Sequence, residues 1–254
     1  MDIQALKSFL DNKVLLYNTL EFLETDPIQI PHQYTLKEDI EIAGFFAAIL
    51  AWGNRKTIIN KTHKLLECMG DNPFDFIQGF NPTSEKYLKG FVHRTFNDVD
   101  AIYFCKALQN IYIKYGGLEP LLLNKSRAIN YFESLAHFKT VFFELKHPLR
   151  TRKHISNPLN NSAAKRLHLF LRWMVRQDNA GVDLGIWKTH NPAQLSLPLD
   201  VHTARIARKL KLLKRKQNDA KAVLELDASL RKLDNTDPVK YDYALFGLGI
   251  FENF

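Results

Sequence analysis

The segment Leu197-Pro198-Leu199-Asp200-Val201-His202-Thr203-Ala204-Arg205-Ile206-Ala207-Arg208-Lys209-Leu210 is the most informative stretch of the sequence. It sets a carboxylate, Asp200, at a helix N-terminus, directly after a turn braced by Pro198 and directly before a cationic helix. The plainest use of Asp200 is as an N-cap, accepting from N–H groups that a first helical turn leaves without partners, with His202 an ordinary first-turn residue. The surrounding charge points further. From Leu145 to Arg176 stand Lys146, Arg150, Arg152, Lys153, Lys165, Arg166, Arg172 and Arg176, with no Asp or Glu. From Val201 to Lys216 stand Arg205, Arg208, Lys209, Lys211, Lys214, Arg215 and Lys216, again with none. Clustered cations of this kind suit a polyanion, because phosphate contacts and counterion release reward them. One such run reads as a solvated helix face; two shift the balance toward nucleic acid.

The chain behind these residues has 254 residues, 35 Lys and Arg against 27 Asp and Glu, and a formal net charge of +8. Hydrophobic types make up 46 %, enough at this length to bury a sizeable core, so wholesale disorder is excluded. Cys68 and Cys105 are the only cysteines, which excludes a disulfide framework, a four-cysteine zinc site and a Cys-ligated iron–sulfur cluster. The start, MDIQALKSFL, does not read as a signal peptide, and the longest apolar run, Ile42 to Trp52, is too short to span a bilayer. A cytoplasmic, nucleoid-associated protein without a membrane partner is the expectation, acting as a monomer.

Helical spacing recurs along the chain, and no strand-like alternation persists. Helices are expected over Ile3–Glu24, over a segment capped by Thr35 with Glu38 in a capping box and running on through Ile40–Leu50, and over Lys56–Met69. Shorter ones follow at Pro73–Gln78 and Ser84–Lys89, then one from Asn97 or Asp98 to Gly116-Gly117, and one over 127–145. His147–Asn161 is a basic loop, Ser162–Arg176 a strong amphipathic helix, and Asn179–Leu199 irregular. Three more helices begin at Asp200, Asp219 and Asp237. The fold class is all-α, with about ten helices.

Three stretches carry a resemblance. Pro198-Leu199-Asp200-Val201-His202 followed by Ile206 resembles the Asp-bearing signature of the helix-hairpin-helix DNA glycosylase superfamily, and its Leu-Asp-Val-His wording is similar to the 8-oxoguanine glycosylase branch. Phe45-Phe46-Ala47-Ala48-Ile49-Leu50-Ala51-Trp52-Gly53-Asn54 resembles that superfamily's early helix and polar loop. Tyr241-Asp242-Tyr243-Ala244-Leu245-Phe246-Gly247-Leu248-Gly249 resembles its late helix. In order and spacing these cover the chain from about residue 40 onward. The glycine hairpin of the superfamily is absent; Asn157-Pro158-Leu159-Asn160-Asn161 takes its place, a departure similar in kind to the unusual hairpin of archaeal 8-oxoguanine glycosylases.

The resemblance implies a two-lobed helical fold, with residues 1–35 and 196–254 in one lobe and 36–195 in the other, and no metal or cofactor. It implies a catalytic pair: Asp200, and Lys165 at the head of the helix after the hairpin. It also implies a base pocket in which Asp242 reads a guanine-type edge, Phe246 stacks, and Trp52 lines the opposite wall. Asp242 and Phe246, four apart on one helix, do share a face; the plainer use of Phe246 is as core. Asn54, Arg55, Ser162, Ala163, Arg166, His202 and Arg205 are the implied DNA contacts, with backbone N–H groups near Ser162 and Ala163 offered to phosphate. The partner would be double-stranded DNA with a damaged base.

The chemistry is coherent. A lysine ammonium, near pKa 10.4 when free, is a poor nucleophile; a helix N-terminus, the neighbouring Arg166 and partial desolvation all favour the neutral amine. A carboxylate beside it can take its proton or face a positively charged sugar. The expected activity is excision of an oxidised purine such as 8-oxoguanine through a Lys165 Schiff base, followed by strand cleavage. Two alternatives stand beside it: a glycosylase for another base in which Lys165 only binds phosphate, and a helical DNA- or RNA-binding protein without chemistry.

Overall fold

A computed structural model describes residues 2–70, 72–123, 128–252 and 254. It is mostly helical, 63 % helix against 2 % strand, so the all-α expectation holds at that level. By internal contacts the chain divides into two units. One comprises Met1–Glu24, Asn124–Glu133 and Asn157–Phe254; the other comprises Thr25–Leu123 and Ser134–Ser156. Residues 157–195 therefore cluster with the C-terminal helices, where the sequence reading had grouped them with 36–156.

In the unit of residues 25–123 and 134–156, α2 (Lys37–Leu50) is buried at every position from Asp39 to Leu50. An apolar helix of this kind needs partners all round. α3 (Arg55–Glu67), α4 (Pro73–Gln78), α5 (Glu85–Leu88), α6 (Asp98–Tyr115), α7 (Leu118–Leu122) and α8 (Phe132–Phe142), whose first two residues fall in the other unit, are its further α-helices, and a 3₁₀ segment over Leu149–His154 follows. The centre of this unit is aromatic: the Phe104 and Phe142 ring centroids lie 4.7 Å apart and those of Phe45 and Phe138 5.8 Å, both edge to face. Such pairs add about 1 kcal/mol each beyond burial. Thr35 does not cap α2. Leu36 holds that position without a side-chain bond, and the capping box falls instead at Asn97 and Asp100, opening α6. Asp100 is fully buried. Burial works against its charge, yet His154, the Asn97 N–H and Thr151 together hold its carboxyl down to about 2. Arg150 completes the cluster at 2.8 Å. Two short strands, β1 (Val92–His93) and β2 (Phe96–Asn97), pair antiparallel, where the sequence reading placed no strand. The helix expected over 127–145 is shorter, Phe132–Phe142, and its expected first residue, Arg127, lies outside the described residues.

In the other unit, α1 (Ile3–Tyr17) stops seven residues before the expected end, and a 3₁₀ segment over Leu20–Thr25 follows. α9 (Lys165–Val175), α10 (Val201–Lys209), α11 (Ala220–Arg231) and α12 (Tyr241–Ile250) supply the rest. α12 is apolar apart from Asp242 in its first turn and the tyrosine hydroxyls, and lies between α1 and α10. Both approaches are made at glycine. A methyl group on Gly247 would stand 2.1 Å from the Tyr17 ring, and one on Gly249 would stand 3.3 Å from the Cβ of His202. No helix among the described residues is long and apolar enough to cross a membrane.

Gly247→Ala tests this packing. The added carbon must displace the inner ring atoms of Tyr17, and overpacking of that kind costs about 2 kcal/mol. The urea midpoint should fall accordingly; an unchanged midpoint would show that α1 does not lie against α12.

Candidate functional site

Lys165 and Asp200 meet. The Lys165 Nζ lies 3.4 Å from Oδ2 of Asp200, and both belong to the same unit. Each stands at the start of a helix. Asp200 is the N-cap of α10, with an extended backbone, and its Oδ1 accepts the Thr203 N–H at 2.8 Å. Capping thus fixes the carboxylate plane and turns the second oxygen toward the amine. Lys165 is the first residue of α9, preceded by Ala164 in the left-handed region at φ 44°. The lysine side chain is 36 % exposed and the aspartate side chain 14 %, so the pair is shielded yet open on the lysine side.

The loop before Lys165 makes its left-handed turns without glycine. Asn161 and Ala164 both adopt positive φ, a conformation that costs residues with a Cβ about 1–2 kcal/mol. Asp219 opposes this cost: it caps α11 through the Ala222 N–H, accepts from Asn161 at 3.2 Å, and pairs with Arg215. Ser162 forms a bridge to Asp219, and its Oγ accepts the Ala164 N–H at 3.2 Å. Ser162 and Ala163, on a braced loop, and Arg166, on α9, therefore flank the lysine. Burial pushes the Arg166 guanidinium down to about 10, which leaves it charged at neutral pH.

Asp242 lies next to this pair, but inside the unit. Only 6 % of it is exposed; its Oδ2 is taken by Arg172, and its Oδ1 accepts from the Thr203 hydroxyl at 3.5 Å. Thr203 thus touches both aspartates, donating its N–H to Asp200 and its hydroxyl to Asp242. Burial pushes the Asp242 carboxyl up to about 6 against the pull of Arg172. The acceptor that the sequence reading offered to a base edge is occupied here. Arg172 also donates to Asp183 at 3.2 Å and lies 4.5 Å from the centre of the Tyr243 ring. One turn on, Arg176 bonds Asp183 at 3.0 Å, Asp178 at 2.6 Å and Asp237 at 2.9 Å. Phe246, one turn after Asp242, is half-buried and meets Phe22 edge to face at 6.1 Å.

These contacts divide the cations of the basic runs into two sorts. Arg172 and Arg176 are buried and paired with Asp183, Asp242, Asp178 and Asp237. Arg205 donates to the carbonyls of Phe254 and Gly249, Arg208 to those of Arg215 and Lys216, and Arg150 to Asn97, Asp100 and the Thr95 carbonyl. Lys146, Lys153, Lys214 and Lys216 do remain exposed. His202, half-buried in the first turn of α10, packs its Cβ toward Gly249.

Trp52, Asn54 and Arg55 belong to the other unit. The half-buried Trp52 ring lies under the Arg94 guanidinium at 4.8 Å and meets the His93 ring edge-on at 6.0 Å. Asn54 is the exposed N-cap of α3, accepting the Thr57 N–H at 3.2 Å, and Arg55 pairs with Asp26 at 3.6 Å. No group of three or more His, Cys, Asp or Glu among the described residues is placed to hold a metal ion.

Sequence reasoning missed the brace behind Asp200. Asp227 on α11 is buried and accepts the Leu197 N–H at 3.1 Å, while Arg231 one turn later donates to the carbonyls of Ala193, Leu195 and Ile129. Together they hold the irregular segment that delivers Pro198, Leu199 and Asp200. The available signal was an Asp and an Arg four apart on α11, a spacing equally common on solvated helices.

Two outcomes follow from this chemistry. Asp242→Ala leaves Arg172 short of a buried partner and is expected to cost about 3 kcal/mol in urea unfolding; a loss below about 1 kcal/mol would show that Asp183 and Tyr243 satisfy Arg172 alone. Burial pushes the Asp227 carboxyl up from 3.8 to about 6. The folded chain then holds a proton that the unfolded chain releases between those values, so this group's contribution falls as pH rises from about 4 to about 6, by on the order of 2 kcal/mol. The stability difference between the parent chain and Asp227→Asn, measured across that window, should show this slope; a flat difference would place Asp227 at its ordinary value.

Comparison with known proteins adds a family. No match to the chain is found among curated proteins or among solved structures. A family model described as a protein of unknown function, DUF2400, matches residues 26–251, nearly the whole chain and the entire segment from α2 to α12. The chain therefore belongs to the DUF2400 family.

Proposed function

We propose that this protein is a DNA glycosylase with AP lyase activity, acting on an oxidised purine such as 8-oxoguanine. The observation that carries the reading is the 3.4 Å approach of Lys165 to the free oxygen of Asp200, at the heads of two helices. Asp200 stands within reach to take the proton that the lysine must lose before it can act as a nucleophile. The neutral Nζ then adds to C1′ of an extruded nucleoside. The C1′–N9 bond breaks with its electron pair on the departing base, which takes up a proton. Ring opening gives the imine on Lys165, and loss of a C2′ proton expels the 3′ phosphate by β-elimination. Asp200 carries the proton and faces the positive charge that develops on the sugar. The capping bond from Thr203 supports this role, because the carboxylate needs no reorganisation as charge appears.

With the Asp242 acceptor occupied by Arg172, the base-reading group is not assigned to Asp242, and Phe246 is retained as the stacking candidate on the same helix. Exposed Lys214 and Lys216, in the same unit as Lys165 and Asp200, would meet phosphate.

The test is borohydride trapping on a duplex carrying 8-oxoguanine. A covalent adduct is expected with the parent chain, lost in Lys165→Gln and reduced about a hundredfold or more in Asp200→Asn, the loss typical of removing a general acid–base group. Base release without an adduct would make the enzyme monofunctional. Salt-sensitive binding without release would leave a DNA-binding protein and end the catalytic reading.

A further inference from the structure

α10 ends in a C-terminal motif with an unusual residue in its key position. Leu210 is the C-cap, the Lys211 N–H returns to the Arg208 carbonyl at 3.0 Å, and the Leu212 N–H returns to Ala207 at 2.9 Å. These are the two bonds of a Schellman motif, whose left-handed residue is usually glycine. Here it is Lys211, at φ 61°. A lysine kept where a Cβ is penalised invites a reason outside the fold.

Lys211 is one of the residues that line a cavity of about 390 Å³ formed by the start of α1, the end of α10 and the end of α11. Ile3, Leu6, Leu212 and Leu233 supply apolar walls; Lys209, Lys211 and Lys232 supply its charge, and no acid among the described residues lines it. Among the described residues, no ion pair involves any of the three lysines; Lys209 lies 4.9 Å over the Phe254 ring. Two helix C-termini end here, each equivalent to about half a negative charge. Three lysines and the positive end of α1 outweigh that sum, so the charge around the cavity is net positive. The volume lies in the range of small-molecule sites, about 300–1,000 Å³. The cavity is at the end of α10 opposite Asp200, and the inference is independent of the repair reading.

We propose that this cavity binds a small amphiphilic anion: a carboxylate or phosphate head on an apolar body. The head group sits among the three ammonium groups, and the body displaces water from the leucines and Ile3. A glycine at position 211 would relax the backbone and remove one charge, so fold and binding should respond in opposite directions.

Titration calorimetry on the full chain with decanoate, decyl phosphate and decanol, each below its aggregation limit, tests this. Saturable one-to-one binding is expected for at least one anion, and the difference between the two identifies the head group. Decanol should bind about tenfold more weakly, the loss of more than one partly exposed ion pair. Lys211→Gly should weaken anion binding roughly threefold, as one such pair predicts, while raising the melting temperature by about 2 °C. Lys209→Gln/Lys232→Gln should weaken it further without that rise. Equal affinity for decanol, undiminished binding in Lys211→Gly, or no binding of either anion would overturn the proposal, as would binding only of an acidic peptide.

Discussion

Asp200 has two oxygens and two obligations. One accepts the Thr203 N–H and so closes the start of α10; the other faces the Lys165 amine. The division depends on the turn before it, because a cap can orient a carboxylate only if the chain arrives extended and at the right height. That arrival is arranged from below by Asp227 and Arg231, and from the lysine's side by Asp219. Three aspartates on or beside α10 and α11 thus fix one amine against one carboxylate, each through backbone N–H groups as well as side chains.

Behind the pair lies a layer of another character. Arg172 and Arg176 project from a helix whose other inward residues, the buried His168 apart, are apolar, and they would be costly there without Asp183, Asp242, Asp178 and Asp237. Buried ion pairs of this sort do not by themselves stabilise a fold over an apolar core, but removing one partner is expensive. They specify one arrangement of α9, α12 and the segment between them. Thr203 connects that layer to the site, since its two donors serve Asp200 and Asp242 separately.

Much of the helical architecture was legible in the sequence because it is written in local spacing: Asp200 as a cap, Asp219 as a cap, and the amphipathic pattern of α9. The meeting of Lys165 with Asp200 was reachable only through the resemblance, as neither residue's neighbours reveal the other. Charge was the least legible feature. Counting cations along Leu145–Arg176 cannot separate Lys153, which faces solvent, from Arg172, whose carboxylates lie far along the chain or in an irregular loop. Asp242 was misleading for the same reason: its position in the first turn of α12 is visible in sequence, whereas its partner on α9 is not. Thr35 failed as a cap because a Thr-x-x-Glu pattern fixes possible bonds, while the backbone turned helical two residues later, after Leu36.

The unit that holds the candidate site is assembled from three separate stretches of chain, and its first helix waits longest. Tyr241 donates to Asp11 at 3.0 Å across 230 positions of sequence, and Tyr17 packs where Gly247 leaves room. Contacts of such separation are entropically slow to close and raise the contact order of the fold. During synthesis, α1 leaves the ribosome before the other helices of its unit yet finds its seat only when α12 has emerged. The stretch of Thr25–Leu123 with Ser134–Ser156 has all its partners well before then. Vectorial synthesis therefore gives this protein a built-in order, in which the unit bearing Lys165 and Asp200 is the last to acquire its packing.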